Sequence, residues 1–321
     1  MLKVFQTRLV DRRGVCPIKK NPTVTVIIAT YNSSSTLKLA LHSVLAQDFG
    51  DYEVWVVGDG CTDDSQEIVE SFAEPRVAWT NLSSNSGGQG VPNTEGIRRA
   101  RGEFIAYLGH DDLWLPWHLS ELVPSIRATG ADLVHGLCAA FDPSGLRHIL
   151  GPPGFGRTYE DHFVFPSSWL NRCSLVTECG GWRDPDKLSR GVDHELLQRI
   201  HLSNRQIHFH PRLSLLKFPS VWWGSYAPGF KPPQRGYWAR IKSDSMEMER
   251  DVMIESAVLL GRSQKLQPSL SAALHQVLVG LRSEVVRIYG RRRWPIPQIQ
   301  VKLCQRRRHK LRRVRGLPSV H

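Results

Sequence analysis

The sequence lacks several features, and each absence narrows what the chain can be. None of its apolar runs is long enough to span a bilayer. The opening residues, MLKVFQTRLVDRRGV, contain no apolar core ahead of a small-residue cleavage site, so no signal peptide is expected. The six cysteines (Cys16, Cys61, Cys138, Cys173, Cys179 and Cys304) form no CxxC pair and no zinc spacing. Reduced thiols in a cytoplasm are the expectation. There is no internal repeat. Acidic residues are missing from 291–321, which holds eleven Lys/Arg, so of the net charge of +12 only +1 belongs to the other 290 residues. That distribution excludes a uniformly basic nucleic-acid binder and describes a near-neutral body with a basic tail. TYNSSST follows the first strand where a dinucleotide-binding turn needs G-x-G-x-x-G, so a Rossmann dehydrogenase is set aside.

At 321 residues the chain is long enough for one large core, or one core with an appendage. Its most informative stretch is 23–65, TVTVIIATYNSSSTLKLALHSVLAQDFGDYEVWVVGDGCTDDS, which reads as strand, helix, strand. Val24-Thr25-Val26-Ile27-Ile28-Ala29 is apolar and β-branched, as a strand buried on both faces should be. Serines 33–35 offer N-caps for a helix from Thr36 to Ala46, with Leu37, Leu41, Val44 and Leu45 on one face. The second strand, Glu53–Val57, ends at Gly58-Asp59-Gly60. Polar residues at the carboxyl ends of parallel strands are where an open α/β sheet binds its ligand.

On Thr30-Tyr31-Asn32 and Asp59-Gly60-Cys61-Thr62-Asp63-Asp64-Ser65 the chain resembles the family 2 glycosyltransferases. The family often has Asp at the position of Gly58 and Ser at that of Cys61. The resemblance covers roughly residues 23–218. It implies an α/β GT-A fold, with a mixed, mostly parallel sheet flanked by helices, followed here by a C-terminal helical extension. The expected organisation is a leader over 1–22 and a transferase domain over 23–225, divided into a nucleotide-binding half (23–135) and an acceptor half (136–225). An aromatic loop and helices follow over 226–290, including helices at 243–260 and 269–289, and then the tail at 291–321. Residues 141–166 are rich in Gly and Pro and read as loop, and so does 219–238, PSVWWGSYAPGFKPPQRGYW. Those aromatics serve either as an acceptor-binding lid or as a hydrophobic bridge to the last helices.

The strand Glu103–Leu108 runs into Gly109-His110-Asp111-Asp112, then Leu113-Trp114-Leu115-Pro116. The resemblance places the family's D-x-D metal motif here, but its first Asp falls at Gly109. Asp111 is therefore the expected ligand for a Mg²⁺ or Mn²⁺ ion carrying the donor's diphosphate, with Asp112 or His110 assisting; the alternative for both carboxylates is helix capping. Gly180-Gly181-Trp182-Arg183-Asp184-Pro185 and Gly191-Val192-Asp193-His194-Glu195-Leu196 resemble the family's G-G-F-D-E and E-D-x-D/E-L segments. This makes Asp193 the expected general base, with Glu195 as second candidate; Val192 stands where the family has Glu. A positioned carboxylate activates a hydroxyl that is a poor nucleophile unaided, and a helix N-terminus favours its charged form. The loop 85–90 and Asn93 resemble a segment lying near the nucleotide-sugar, so Thr30, Tyr31, Asn32, Asp59, Gly87, Asn93, His110 and Asp111 form the expected donor site. Arg98, Arg99 and Arg101 are candidates for neutralising the diphosphate. His208 and His210 read as structural.

The resemblance implies transfer of a sugar from a nucleotide-diphospho-sugar to a hydroxyl of a glycan or lipid-linked acceptor, with inversion. UDP is the family's commonest donor nucleotide, and polysaccharide biosynthesis at the cell envelope is the expected setting. The alternative is a non-catalytic sugar-nucleotide- or polysaccharide-binding protein. It draws on Gly109 and Val192. Residues 291–315 mix basic and apolar residues, which suits weak contact with anionic membrane head groups from the cytoplasmic side. No specific nucleic-acid partner is expected.

Overall fold

The computed structural model describes residues 21–265, except 155–156, 161, 186–187, 189 and 228, and except the side chains of 260–265. Most of the leader, the helix expected at 269–289 and the basic tail lie outside the described residues. Strand β1 (Val24–Thr30) is buried along nearly its whole length, as its apolar β-branched sequence requires. Helix α1 (Ser34–Leu45) covers one face of it through Leu37, Ala40, Leu41 and Val44. Then come β2 (Tyr52–Gly58), α2 (Ser65–Ser71), β3 (Val77–Asn81), α3 (Gly90–Arg99) and β4 (Phe104–Tyr107).

These first four strands lie in the order β3-β2-β1-β4, all parallel. Their register pairs Thr30 with Gly58 and Gly58 with Asn81. The three strands therefore end level, and the polar turns after them open onto one crevice. At the opposite end of β1, Glu53 is buried and answered by the Thr25 hydroxyl at 2.8 Å and by Arg101 Nε at 2.8 Å.

The remaining elements are β5 (Leu113–Trp114), α4 (His118–Thr129), β6 (Leu133–Asp142), β7 (Gly145–Leu150), a 3-10 turn at Pro166–Ser168, β8 (Trp169–Arg172), α5 (Leu175–Glu178), α6 (Val192–Leu202) and β9 (Ile207–Lys217). The sheet continues through β8, β6, β9 and β5, with β7 paired to β6. It is a mixed sheet: β8 is antiparallel to both β4 and β6, and β9 runs parallel to β6. After β9 come α7 (Ser220–Trp223), α8 (Gln234–Ser243) and α9 (Ser245–Lys265).

Two stretches expected to be loop are partly regular. Within 141–166, β7 forms a hairpin with β6 across a turn in which the Asp142 carboxylate accepts the Ser144 N–H at 2.8 Å. A six-residue strand with glycine and proline on both sides gives little periodic signal. Within 219–238, Trp238 is buried, Trp222 is exposed and the other four aromatic side chains are half-buried. Tyr237 packs on Phe141 and Phe218, and the Trp223 indole donates to the Phe141 carbonyl at 2.9 Å. This is the hydrophobic bridge rather than an open lid. Only Val221 and Trp222 remain widely exposed among its large apolar side chains.

Candidate active site

The crevice at the carboxyl ends of β1, β2 and β4 is a cleft of about 530 Å³. It is lined by Thr30, Tyr31 and Asp59 at the ends of β1 and β2, and by Gly109, His110 and Asp111 after β4. Gly87–Gln89, residues 190–193 at the start of α6, and Lys217, Pro219–Val221 and Tyr226 from the end of β9 onward complete the lining.

The donor side follows from the strand ends. Asp59 is buried, and its Oδ1 accepts the Ser86 N–H at 2.9 Å, which ties the glycine-rich loop to β2. Thr30 is also buried, and among the described residues its hydroxyl has no hydrogen-bond partner. A buried hydroxyl in that state is ready for a ligand. Tyr31, Gly87 and His110 line the same cleft, and His110 Nδ1 sits 3.2 Å from the Ala29 carbonyl, which orients its ring. Two expected donor residues do not reach it. Asn32, with φ of 41°, turns its amide onto Thr62, accepting the N–H at 2.8 Å and donating to the hydroxyl at 3.2 Å. Asn93 is buried within α3 and is not part of the cleft lining. Through its bonds to Thr62, Asn32 ties the turn after β1 to the turn after β2. Nor do the arginines face the cleft: Arg98 and Arg99 pair with Glu95, and Arg101 with Glu53 at the far end of β1.

The acidic pair after β4 is engaged by residues that sequence reasoning missed. Asp111 Oδ2 accepts the Ser220 N–H at 3.1 Å and the Ser220 hydroxyl, while Oδ1 faces the Lys217 ammonium at 3.5 Å. Gln234 Nε2 donates to the Asp111 carbonyl at 2.8 Å. Asp112 is wholly buried beneath. It accepts from the Ser167 hydroxyl at 2.6 Å, Lys217 Nζ at 2.9 Å and the Phe218 N–H at 3.2 Å. Burial works against charge on Asp111, but Lys217, His110 and the Ser220 hydroxyl outweigh it and hold the carboxyl below the usual carboxylate range. Burial lifts Asp112 above that range; Lys217 opposes the shift and Asp111 adds to it. Burial alone would favour a neutral Lys217 amine, but the two carboxylates hold its proton more tightly than usual.

These residues fit a divalent ion poorly. Asp112, expected as a ligand, has both oxygens committed inside the wall and is not part of the cleft lining. The Lys217 ammonium stands against both carboxylates, so an ion at Asp111 meets its repulsion together with the carboxylate's attraction. A Cβ on Gly109 would stand 2.6 Å from Asp112 Oδ2 and 2.9 Å from Asp111 Oδ1, so a carboxylate there would displace the two acids from their present positions. Among the described residues, no group of three or more His, Cys, Asp and Glu is arranged to hold a metal.

Asp193 opens α6 and lines the cleft. Its Oδ1 accepts the His194 N–H at 2.9 Å, and burial raises its carboxyl above the ordinary value against that bond and the pull of Lys217. Glu195 turns the other way. It pairs with Arg183 at 2.9 Å and with Arg199 at 2.7 Å, and Arg199 also donates to the Gly181 carbonyl at 2.8 Å. Glu195 is held by two arginines and is not part of the cleft lining, so it braces the Gly180-Gly181 turn against α6 instead of serving as second base.

Lys217 gave one usable sequence signal: it is a lone charge closing the apolar run Leu213-Ser214-Leu215-Leu216. Ser220 and Gln234 gave none, since each meets Asp111 from more than a hundred residues away.

The family model described as "Glycosyl transferase family 2" matches residues 25–171. The succinoglycan biosynthesis protein ExoO of Rhizobium meliloti (strain 1021) is 39% identical over 116 residues, 36% of this chain and 33% of that protein. The putative colanic acid biosynthesis glycosyl transferase WcaA of Escherichia coli K12 is 33% identical over 105 residues, 32% of this chain and 37% of its own length. The chain spans about a third of the length of the curated relatives it matches. Among solved structures, S. aureus TarS in complex with UDP-GlcNAc superposes with a TM-score of 0.52 at 23% identity, covering 61% of this chain and 58% of that one. A mannosyltransferase from Pyrobaculum calidifontis, in complex with GDP-Man and Mn²⁺, gives 0.52 at 17% identity, covering 90% and 88%. The fold is that of the GT-A glycosyltransferases. Over residues 25–171 the chain is similar to glycosyl transferase family 2.

Proposed function

We propose that the protein transfers a sugar from a nucleoside-diphospho-sugar, a UDP-sugar first among candidates, to a hydroxyl of a glycan or lipid-linked acceptor. The observation that carries this reading is that Asp193 and the strand-end residues Thr30 and Asp59 line one and the same cleft. Thr30, Tyr31 and Asp59 hold the nucleoside, with Gly87 close to it. The acceptor hydroxyl enters beside Asp193. Its oxygen bonds to the anomeric carbon as the bond from that carbon to the diphosphate oxygen breaks. The hydroxyl proton passes to Asp193, and the nucleoside diphosphate leaves with the bonding electrons. Attack from the face opposite the leaving group inverts the anomeric centre. Burial suits Asp193 to this, because a carboxylate with a raised pKa is a better proton acceptor.

The names of ExoO and WcaA support polysaccharide assembly as the setting. The Mg²⁺ or Mn²⁺ ion implied by the family resemblance has no step in this reading, since its donor set does not fit. Contact between 291–315 and anionic head groups would place the enzyme at the cytoplasmic face of a membrane.

Asp193→Asn tests the proposal. Turnover should fall by about 10²–10⁴-fold, while thermal stabilisation by the nucleotide product stays as in wild type. Undiminished turnover in a folded Asn variant would remove Asp193 from its role. Wild-type protein that binds nucleotide-sugar yet neither transfers nor hydrolyses it would establish the non-catalytic binding alternative.

A further inference from the structure

The leaving diphosphate carries concentrated negative charge that some cation must meet. Lys217 closes β9, and its side chain is only 14% exposed, yet the residue still lines the cleft. Burying an ammonium is costly unless its partners are built in. Here they are: Asp112 Oδ2 at 2.9 Å, Asp111 Oδ1 at 3.5 Å, and the Phe165 ring with its centroid 5.3 Å away. An ammonium has three N–H donors. The two carboxylates engage two of them, which leaves the third for an oxygen of a ligand in the cleft. The two carboxylates are in turn saturated from behind, Asp111 by Ser220 and Asp112 by Ser167 and Phe218. They serve to hold the lysine in place, and a carboxylate added at Gly109 to recruit a metal would displace both from their present positions.

We propose that Lys217 supplies the positive charge that meets the donor's diphosphate, so that this cleft binds a nucleoside diphosphate without a divalent ion. The proposal rests on the donor-site reading above.

The test is calorimetric binding of UDP and GDP, with uridine and guanosine as the matching nucleosides, in EDTA and in Mn²⁺. The proteins are full-length wild type, Lys217→Arg, and Lys217→Met combined with Asp112→Asn, the last so that the wholly buried Asp112 does not lose its counter-charge, while Asp111 keeps its hydrogen bonds from Ser220. One of the diphosphates should bind wild type equally well in EDTA and in Mn²⁺. The double variant should bind it about ten- to a hundredfold more weakly, with the nucleoside unchanged, and Lys217→Arg should retain most of the affinity. Loss of diphosphate and nucleoside alike in the double variant would mark Lys217 as merely structural. Binding of diphosphate in Mn²⁺ but not in EDTA would overturn the proposal and leave the donor site standing. No binding of either diphosphate under either condition would overturn both.

Discussion

Gly58 and Gly109 sit at strand ends where the neighbours leave no space for a side chain. A Cβ on Gly58 would lie 2.4 Å from Asn81 Oδ1, the oxygen that accepts the Cys61 N–H at 2.9 Å and shapes the turn after Asp59. Gly58→Asp, which installs the residue common in the family, should therefore lower stability by about 1–3 kcal/mol through overpacking; a melting temperature equal to wild type would refute the argument. Asp193 has a different dependence. Burial raises its carboxyl, so the proton returns at a milder acidity than for an exposed aspartate. Only the ionised form can accept a proton. Hence kcat/KM should fall as pH drops through this raised value, with the acidic limb lying above the ordinary aspartate range. A profile flat down to that range would contradict the role. At this scale the sequence showed the acids plainly, because motif spacing names them. It did not show that Asp112 is walled in or that Glu195 is neutralised by Arg183 and Arg199, since both outcomes depend on partners brought in by folding.

Elements decide which face of each motif is used. Helix α6 carries Asp193 to the cleft and Glu195 to the Gly180-Gly181 turn because residues two apart point in different directions on a helix. Arg199 spans from that helix to the turn. Arg199→Ala should therefore lower kcat while leaving nucleotide affinity near wild type, a split that steady-state kinetics and calorimetry resolve together. The end of α3 offers a contrast. Arg101 neutralises buried Glu53 far from the cleft, whereas Arg98 pairs with Glu95 at the surface. Arg101→Ala should cost about 1–3 kcal/mol in denaturant unfolding by removing the guanidinium from the glutamate's second oxygen, while the Thr25 hydroxyl stays on the first. Arg98→Ala should leave unfolding close to wild type, since the pair is exposed and screened, and neither should alter diphosphate binding. The parallel strands and long helices were legible from their periods of apolar residues. β7 and α8 were not, because each is short, lies among glycines and prolines, and is ordered by the surface it packs on.

For the whole molecule, charge is divided between a near-neutral body and a basic terminus. Among the described residues no helix is long and apolar enough to cross a membrane. Removal of 291–321 should leave nucleotide binding intact but reduce sedimentation with phosphatidylserine vesicles, and wild-type sedimentation should weaken as salt rises. Equal sedimentation of full-length and shortened protein would dispose of the membrane reading.

Local pattern was enough to determine the parallel nucleotide-binding half, the strand-end position of Thr30, Asp59 and Asp111, and the helix-start position of Asp193. Each depends on residues within a few positions of one another, where periodicity and turn chemistry act. The state of the acidic pair after β4 was decided only by tertiary structure. Lys217 reaches Asp111 across 106 residues of sequence and Ser220 across 109. Such contacts exist because β9 and β4 end at the same edge of one sheet, and no local preference encodes which charge will meet which there.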